Sequence, residues 1–302
     1  MGLINCLSLF VYLLLLNACN QAESSPVKKM PYQAEYNLES PSLSLKIPKE
    51  LKEISGIAYF SEGKAIAIQD EHAVLYFLSL GNGEILDNIN FGEDGDYEGI
   101  TTDEKSIYVL RSDGYIFKMP RTSTGKIESK KINTFLDNRY DTEGICFHPK
   151  TRNLLLACKE NGDNTEEISR NIYSFDPSTE ILNKKAVFSI RLTAIKSFLE
   201  KAAETAEYDE LREYFEDLEE DFIYPSDIAV HPINGDIYIC SAKAISVLIV
   251  LEQDGKIKNM QIIPEEILPQ TEGISFKPNG DLILCSEGKH KEERLFIYSW
   301  RK

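Results

Sequence analysis

A short phrase recurs five times along the chain, as Ser55-Gly56-Ile57, Glu98-Gly99-Ile100, Glu143-Gly144-Ile145, Ser226-Asp227-Ile228 and Glu272-Gly273-Ile274. Successive copies start at positions 55, 98, 143, 226 and 272, so the unit is about 45 residues long and one unit holds a long insert. That is the period of a propeller blade, and radial repetition brings the same position of every blade to one axis. The glycine has a steric rationale, because strands that crowd around an axis need a backbone that a neighbour can approach closely. Asp227 replaces it in the fourth unit and makes that blade irregular.

Each phrase opens an apolar strand, followed by a polar turn, a second apolar strand, another turn and an aromatic-rich third strand. In the third unit these are Ile145 to Phe147, Leu154 to Cys158 and Ile172 to Phe175. The fifth unit, from Ile274 through Leu282 to Cys285 and Leu295 to Trp300, ends after three strands, one short of a blade. Leu43, Leu45 and Ile47 alternate with Ser44 and Lys46 ahead of the first repeat, and this orphan strand can supply the missing place. The pattern predicts an all-β, five-bladed β-propeller closed by an N-terminal strand, with six blades as the alternative.

The 302 residues, 42% of them hydrophobic, suffice for a large core, and the net charge of −16 argues against binding a nucleic-acid backbone. Cations or basic partners suit such a chain better. The apolar run Leu7 to Leu16 is too short to span a bilayer and has the form of a signal-peptide core. Ala18-Cys19 after it resembles a lipobox, which predicts a lipoprotein signal at residues 1–18 and lipidation of Cys19. An ordinary secretory signal is the alternative. Residues 19–36 then form a polar tether and 37–302 the propeller domain, a monomer held at a bacterial cell-envelope membrane or at the cell surface. Cys146, Cys158, Cys240 and Cys285 lie in apolar strands and follow no zinc spacing, so they are expected as small buried hydrophobes, with a Cys146–Cys158 disulfide as the alternative.

The insert, about residues 193–222, carries apolar residues at helical spacing, with a break expected near Asp209. Its eleven acids face only Lys196, Lys201 and Arg212, which is half of the chain's net charge. A solvated helical face is the expectation, against a lid or docking role.

Glu98, Glu143 and Glu272 hold equivalent places in their repeats, so a propeller aims them at one end of the central channel. Like charges that close raise one another's pKa unless a cation intervenes, and oxygen ligands without a histidine cluster favour calcium. Asp227 is a candidate fourth ligand, with Ser55 and Ser226 as neutral stand-ins. The competing reading makes each glutamate a cap for nearby backbone amides. A second repeated position follows the second strand, giving a candidate ligand rim of Asp70, Glu71, Arg111, Lys159, Glu160 and Glu287. It faces the opposite end or the channel wall, depending on register. The four histidines are scattered, and His148 and His231 each precede a proline at a strand end, which is turn chemistry. No phosphate loop, nucleophile elbow or metalloprotease helix is present.

With these phrases laid out, the chain resembles the SdiA-regulated family of YjiK-like propellers, mostly bacterial exported or membrane-attached proteins. The matching residues are Ile54 to Tyr59, Asp96 to Ile100, Thr142 to Phe147 and Gln270 to Glu287, within a likeness covering about residues 40–302. The insert and Asp227 depart from the pattern. The resemblance implies a propeller with a calcium site. More distantly, the Glu-Gly-Ile phrases resemble those of esterase-like phytase and calcium-dependent lactonase propellers. The expected function is a lipid-anchored propeller that binds calcium and a small ligand or protein partner. Alternatives are a metal-dependent phosphoesterase or lactonase, and a structural scaffold that needs no ion.

Overall fold

The computed structural model describes residues 34–122, 125, 127–162, 169–218, 222–243, 245–288 and 292–301. The signal segment, Cys19 and most of the tether lie outside the described residues, as do residues 219–221 of the insert and His290.

The described chain folds into five antiparallel sheets, and each begins on a repeated phrase. The inner strands are Ile54–Ser61, Tyr97–Thr102, Thr142–Phe147, Pro225–Val230 and Thr271–Phe276. Each touches the inner strand of the next blade, and the fifth touches the first, so the ring is closed. Five blades form, not six. Strand Leu43–Lys46 is the outer strand of blade 5, with Leu43 opposite Ile297 and Lys46 opposite Arg294, as the orphan strand predicts.

Because each sheet is radial, both faces of the inner three strands of a blade are largely covered, the outer strands are partly exposed, and the apolar core divides into five wedges between successive blades. This explains the short apolar runs without alternation in the second and third strands: Leu154–Cys158, Ile237–Ser241 and Val247–Leu251 are buried throughout. The four cysteines fall in four different wedges, all as free thiols, so the disulfide alternative is not realised. Cys146 and Cys158 share a strand pair, yet Cys146 opposes Leu155 while Cys158 opposes Thr142, and a disulfide needs Cα atoms within roughly 7 Å.

The packed body starts slightly before the expected end of the tether. Tyr36 is fully buried and its hydroxyl donates to Gly280 O at 2.6 Å, while the Glu35 carboxylate accepts from Tyr238 at 2.7 Å and pairs with Lys258 at 2.9 Å. His231 and His148 serve their turns, as expected: His231 Nδ1 accepts from Asn234 N at 3.2 Å and His148 Nδ1 from Thr151 N at 3.4 Å.

Blade 3 has a divided outer edge, with Ile181–Leu182 on one end of strand Ser169–Asp176 and Phe188–Arg191 on the other. The second piece leads into the insert, helices α1 (Leu192–Lys201) and α2 (Ala206–Glu216). The break falls at residues 202–205, not near Asp209. Thr205 caps α2 by accepting from Tyr208 N, and Asp209 sits in its first turn, where the helix dipole favours an acid. Leu192, Ile195, Leu199, Tyr208, Leu211 and Phe215 bury themselves in the wedge between blades 3 and 4, and Glu204, Asp209, Glu210 and Glu213 remain exposed. The insert is therefore an integral buttress with a solvated acidic face.

Candidate functional site

All five phrases contain a β-bulge. In blade 3, Thr142 opposes Cys158 and Gly144 opposes Ala157, which leaves Glu143 without a partner; Ser55, Glu98, Ser226 and Glu272 are skipped in the same way. A bulge re-aims one side chain out of the pleat, and here it turns the first residue of each phrase toward the axis. The glycine that follows is fixed by close approach. A Cβ on Gly144 would stand 2.9 Å from Asp227 Cα and Ile228 N, and one on Gly99 would stand 2.8 Å from Glu143 O.

The two serine copies act differently from the glutamates. Ser55 and Ser226 each donate to the backbone of the next blade, at Tyr97 O and Thr271 O, both at 2.6 Å. Asp227 sits one step deeper and is only 1% exposed. Its carboxylate accepts from Ile228 N at 2.8 Å and Ile274 N at 2.9 Å, so both oxygens are engaged by the channel wall of blades 4 and 5. Burial pushes this carboxyl well above the usual range.

Glu98, Glu143 and Glu272 do converge on one mouth of the channel. Two of them feel the charge of the third: Glu143 raises the pKa of both Glu98 and Glu272. Burial is the larger cause in all three, and it pushes Glu98 up to about 10, Glu272 to about 8 and Glu143 to about 7. Glu143 is held lowest because Lys159 Nζ lies 2.6 Å from its Oε1. Burial disfavours the charge on Lys159, but Glu143, Asp141 and Glu98 outweigh it and hold the ammonium above its ordinary range. At neutral pH the mouth therefore combines carboxyl groups able to donate a proton with one fixed cation.

The register settles the direction of the rim: antiparallel pairing sets the end of each second strand beside the start of the inner strand, so these residues share the glutamate mouth. Asp70, Ser112, Lys159 and Glu287 are equivalent, each donating its amide to the residue two before a phrase, at Glu53, Asp96, Asp141 and Gln270. Burial and neighbouring acids push up both Asp70 and Glu287. Arg111 does not face the mouth; its guanidinium forks onto Asp113 at 2.7 and 2.8 Å and lies over the Tyr115 ring. Glu71 and Glu160 are exposed on the outer rim.

Three residues two places before a phrase, Glu53, Asp141 and Gln270, have φ of 60°, 47° and 46°, left-handed backbone that is costly for residues with a side chain and concentrates at functional sites. The recurrence of Glu53, Asp96, Asp141 and Gln270 at that offset was the available sequence signal for Asp96 and Asp141. Beside the mouth, a cavity of about 330 Å³ is lined by Lys159, Tyr224, Lys243, Glu265, Gln270 and Glu272, with Lys243 Nζ 4.2 Å over the Tyr224 ring. No repeat pattern marked Tyr224, Lys243 or Glu265.

Fold and mouth together define a five-bladed β-propeller with a polar, acid-rich channel entrance. No protein-family model and no curated protein matches the chain. It is similar to the solved structure of Myxococcus xanthus glutaminyl cyclase, at 13% identity over 86% of this chain and 95% of that one, with a TM-score of 0.55. A luciferin-regenerating enzyme matches at 11% identity over 86% and 95%, with a TM-score of 0.50. A protein of unknown function from Bacteroides thetaiotaomicron matches at 10% identity over 81% of this chain and 54% of its own, also at 0.50. Such likeness establishes the propeller fold alone.

Proposed function

We propose that the chain is an exported, lipid-anchored propeller of the bacterial cell envelope that binds a small polar ligand at the acidic mouth of its channel. The observation that supports this reading is the convergence of Glu98, Glu143 and Glu272 from three blades around the ammonium of Lys159. Protonated Glu98 and Glu272 would donate hydrogen bonds, and Lys159 with Glu143 would orient a charged group. The resemblance to SdiA-regulated propellers agrees with export and anchoring. Cys19→Ser is expected to shift the protein from the membrane to the soluble fraction of cells, and unchanged fractionation would remove the anchor from the proposal.

Calcium fits the donors in part. They are all oxygen, but Lys159 already holds Glu143, and among the described residues no three acidic, histidine or cysteine groups stand close enough to share an ion. Calcium binding thus requires the ammonium to swing away and the acids to ionise, which ties affinity to pH. Thermal melting with calcium or chelator should show stabilisation at pH 9 that is weaker at pH 6 and lost in Glu272→Gln. No shift at either pH eliminates calcium. The ligand itself is sought by thermal shift against sugars, polyamines and amino acids. The reading is sunk if no stabilising compound loses its effect in Glu272→Gln or Lys159→Met.

One observation favours a catalytic reading. A carboxyl near pKa 8, such as Glu272, beside an ionised partner is suited to general acid chemistry near neutral pH, and two of the similar solved structures are enzymes. Mutant-sensitive turnover of phosphoester or lactone substrates would establish it.

A further inference from the structure

The cavity beside the mouth is open because blade 4 carries a small residue at both repeated positions. Its phrase begins with Ser226, whose side chain is tied to Thr271 O at 2.6 Å. Its rim position is equally bare. Pro225 opposes Ser241 as Thr142 opposes Cys158, so the place that holds Asp70, Ser112, Lys159 and Glu287 in the other blades falls to Ala242. Ser226 and Ala242 both line the cavity, with Lys159 of blade 3 and with Gln270 and Glu272 of blade 5. Its volume of about 330 Å³ lies at the small end of the ~300–1,000 Å³ usual for ligand pockets, which suits a molecule of amino-acid size.

Two groups on this wall lack a partner, and their charges are opposite. Among the described residues no acid stands within ion-pairing distance of Lys243, and its ammonium rests 4.2 Å over the Tyr224 ring. That ring is fixed in place: Tyr224 is 4% exposed, its amide donates to Ser241 Oγ at 2.8 Å, and the Arg170 guanidinium lies 5.1 Å from the ring centre. An ammonium seated on an aromatic face keeps N–H donors for an acceptor on its other side.

Glu272 is the complementary case. Among the described residues no hydrogen bond or ion pair reaches its carboxyl, and Lys159, on the same wall, is committed to Glu143 at 2.6 Å. Burial, then the charges of Glu143 and Glu287, keep Glu272 protonated up to about pH 8. Glu265, the other acid of the wall, is exposed to solvent. Lys243 and Glu272 do not pair with each other, yet they line one cavity. A lone anion would leave Glu272 without a counter-ion, and a lone cation would leave Lys243 without one. A molecule that carries both charges satisfies both.

We infer that this cavity binds a zwitterion of the amino-acid class, its carboxylate on Lys243 and its ammonium on Glu272, which rests on the mouth being a ligand site and narrows its occupant. The ligand's ammonium stabilises the ionised carboxylate, so binding expels the proton that Glu272 holds at neutral pH.

The test is calorimetric titration of the full chain with the common α-amino acids and with γ-aminobutyrate. At least one should bind at millimolar concentration or below. It should lose about tenfold or more in affinity as its N-acetyl derivative, which has no ammonium, and as its amide, which has no carboxylate. Lys243→Met should weaken the parent by a similar factor but leave the amide unaffected, and Glu272→Gln should weaken the parent but leave the N-acetyl derivative unaffected. Titrations at pH 7 in buffers of different ionisation enthalpy should show release of most of one proton, absent in Glu272→Gln. Ala242→Leu fills the cavity without changing a charge, at a place where other blades carry longer side chains, so it should fold and abolish binding. Failure of every amino acid to bind, or derivatives that bind as well as the parent, would overturn the inference. A sugar or polyamine whose binding is lost in Glu272→Gln but indifferent to Lys243→Met would also overturn it, while leaving the mouth as a ligand site.

Discussion

Gly144→Ala is expected to destabilise the protein by about 3 kcal/mol, the upper part of the range for overpacking a close contact. The added methyl would sit 2.9 Å from Asp227 Cα and Ile228 N, backbone atoms of the next blade that cannot rotate away, so two blades must part. For a domain of this size that corresponds to a fall in melting temperature of roughly 5 °C. Gly56→Ala is the internal comparison: its nearest contacts are 3.2 to 3.3 Å and include the Ile100 side chain, so its cost should be well under half as large. Equal losses at the two positions would show that the glycines are kept for some reason other than the approach of successive inner strands.

Lys159→Met should be nearly harmless at pH 6 and cost about 3 kcal/mol at pH 9, the penalty for leaving a buried carboxylate without its counter-charge. The sign follows from proton binding. Glu143 is 5% exposed and its pKa is raised from the ordinary value near 4.5 to about 7 in the folded protein, so the folded state holds its proton longer than the unfolded state does. The stability of such a group is fully present below its unfolded pKa and is lost as pH rises through the folded value. Removing the ammonium extends that loss to higher pH, because Glu143 can escape its own charge only by keeping the proton. Melting wild type and variant side by side from pH 5 to 9 cancels all other titrations. A difference that does not change with pH would mean that Lys159 contributes packing and no charge balance.

The fold was readable because propeller geometry repeats in the chain. Five phrases, one period and an orphan strand before the first copy specify the ring and its closure, and the insert announces itself by a change of period from short apolar runs to helical spacing. The mouth was readable only in part. Glu98, Glu143 and Glu272 stand out through equivalence, but the bulge that turns them inward is a register slip of the inner strand against the second and leaves no trace in residue types. Lys159 was visible as a rim residue; that it neutralises Glu143 depends on antiparallel pairing laying Cys158 beside Thr142. Asp227 looked like a mouth acid because it adjoins the phrase position, whereas a shift of one residue along a strand moves it to the amides of Ile228 and Ile274. Lys243 and Glu265 come from connections without a repeat, and sequence alone has no means of placing those.

The seam in blade 5 joins the earliest described strand to the last, Leu43 opposite Ile297, which are about as far apart in synthesis as the domain permits. A chain emerging from the N-terminus can build four complete blades but must wait for residues 294–298 before Leu43–Lys46 has anything to pair with. Premature termination ahead of Arg294 would therefore leave two bare strand edges in place of a seam, a species prone to self-association and open to proteolysis. Residues 294–298 thus act as the latch of the ring.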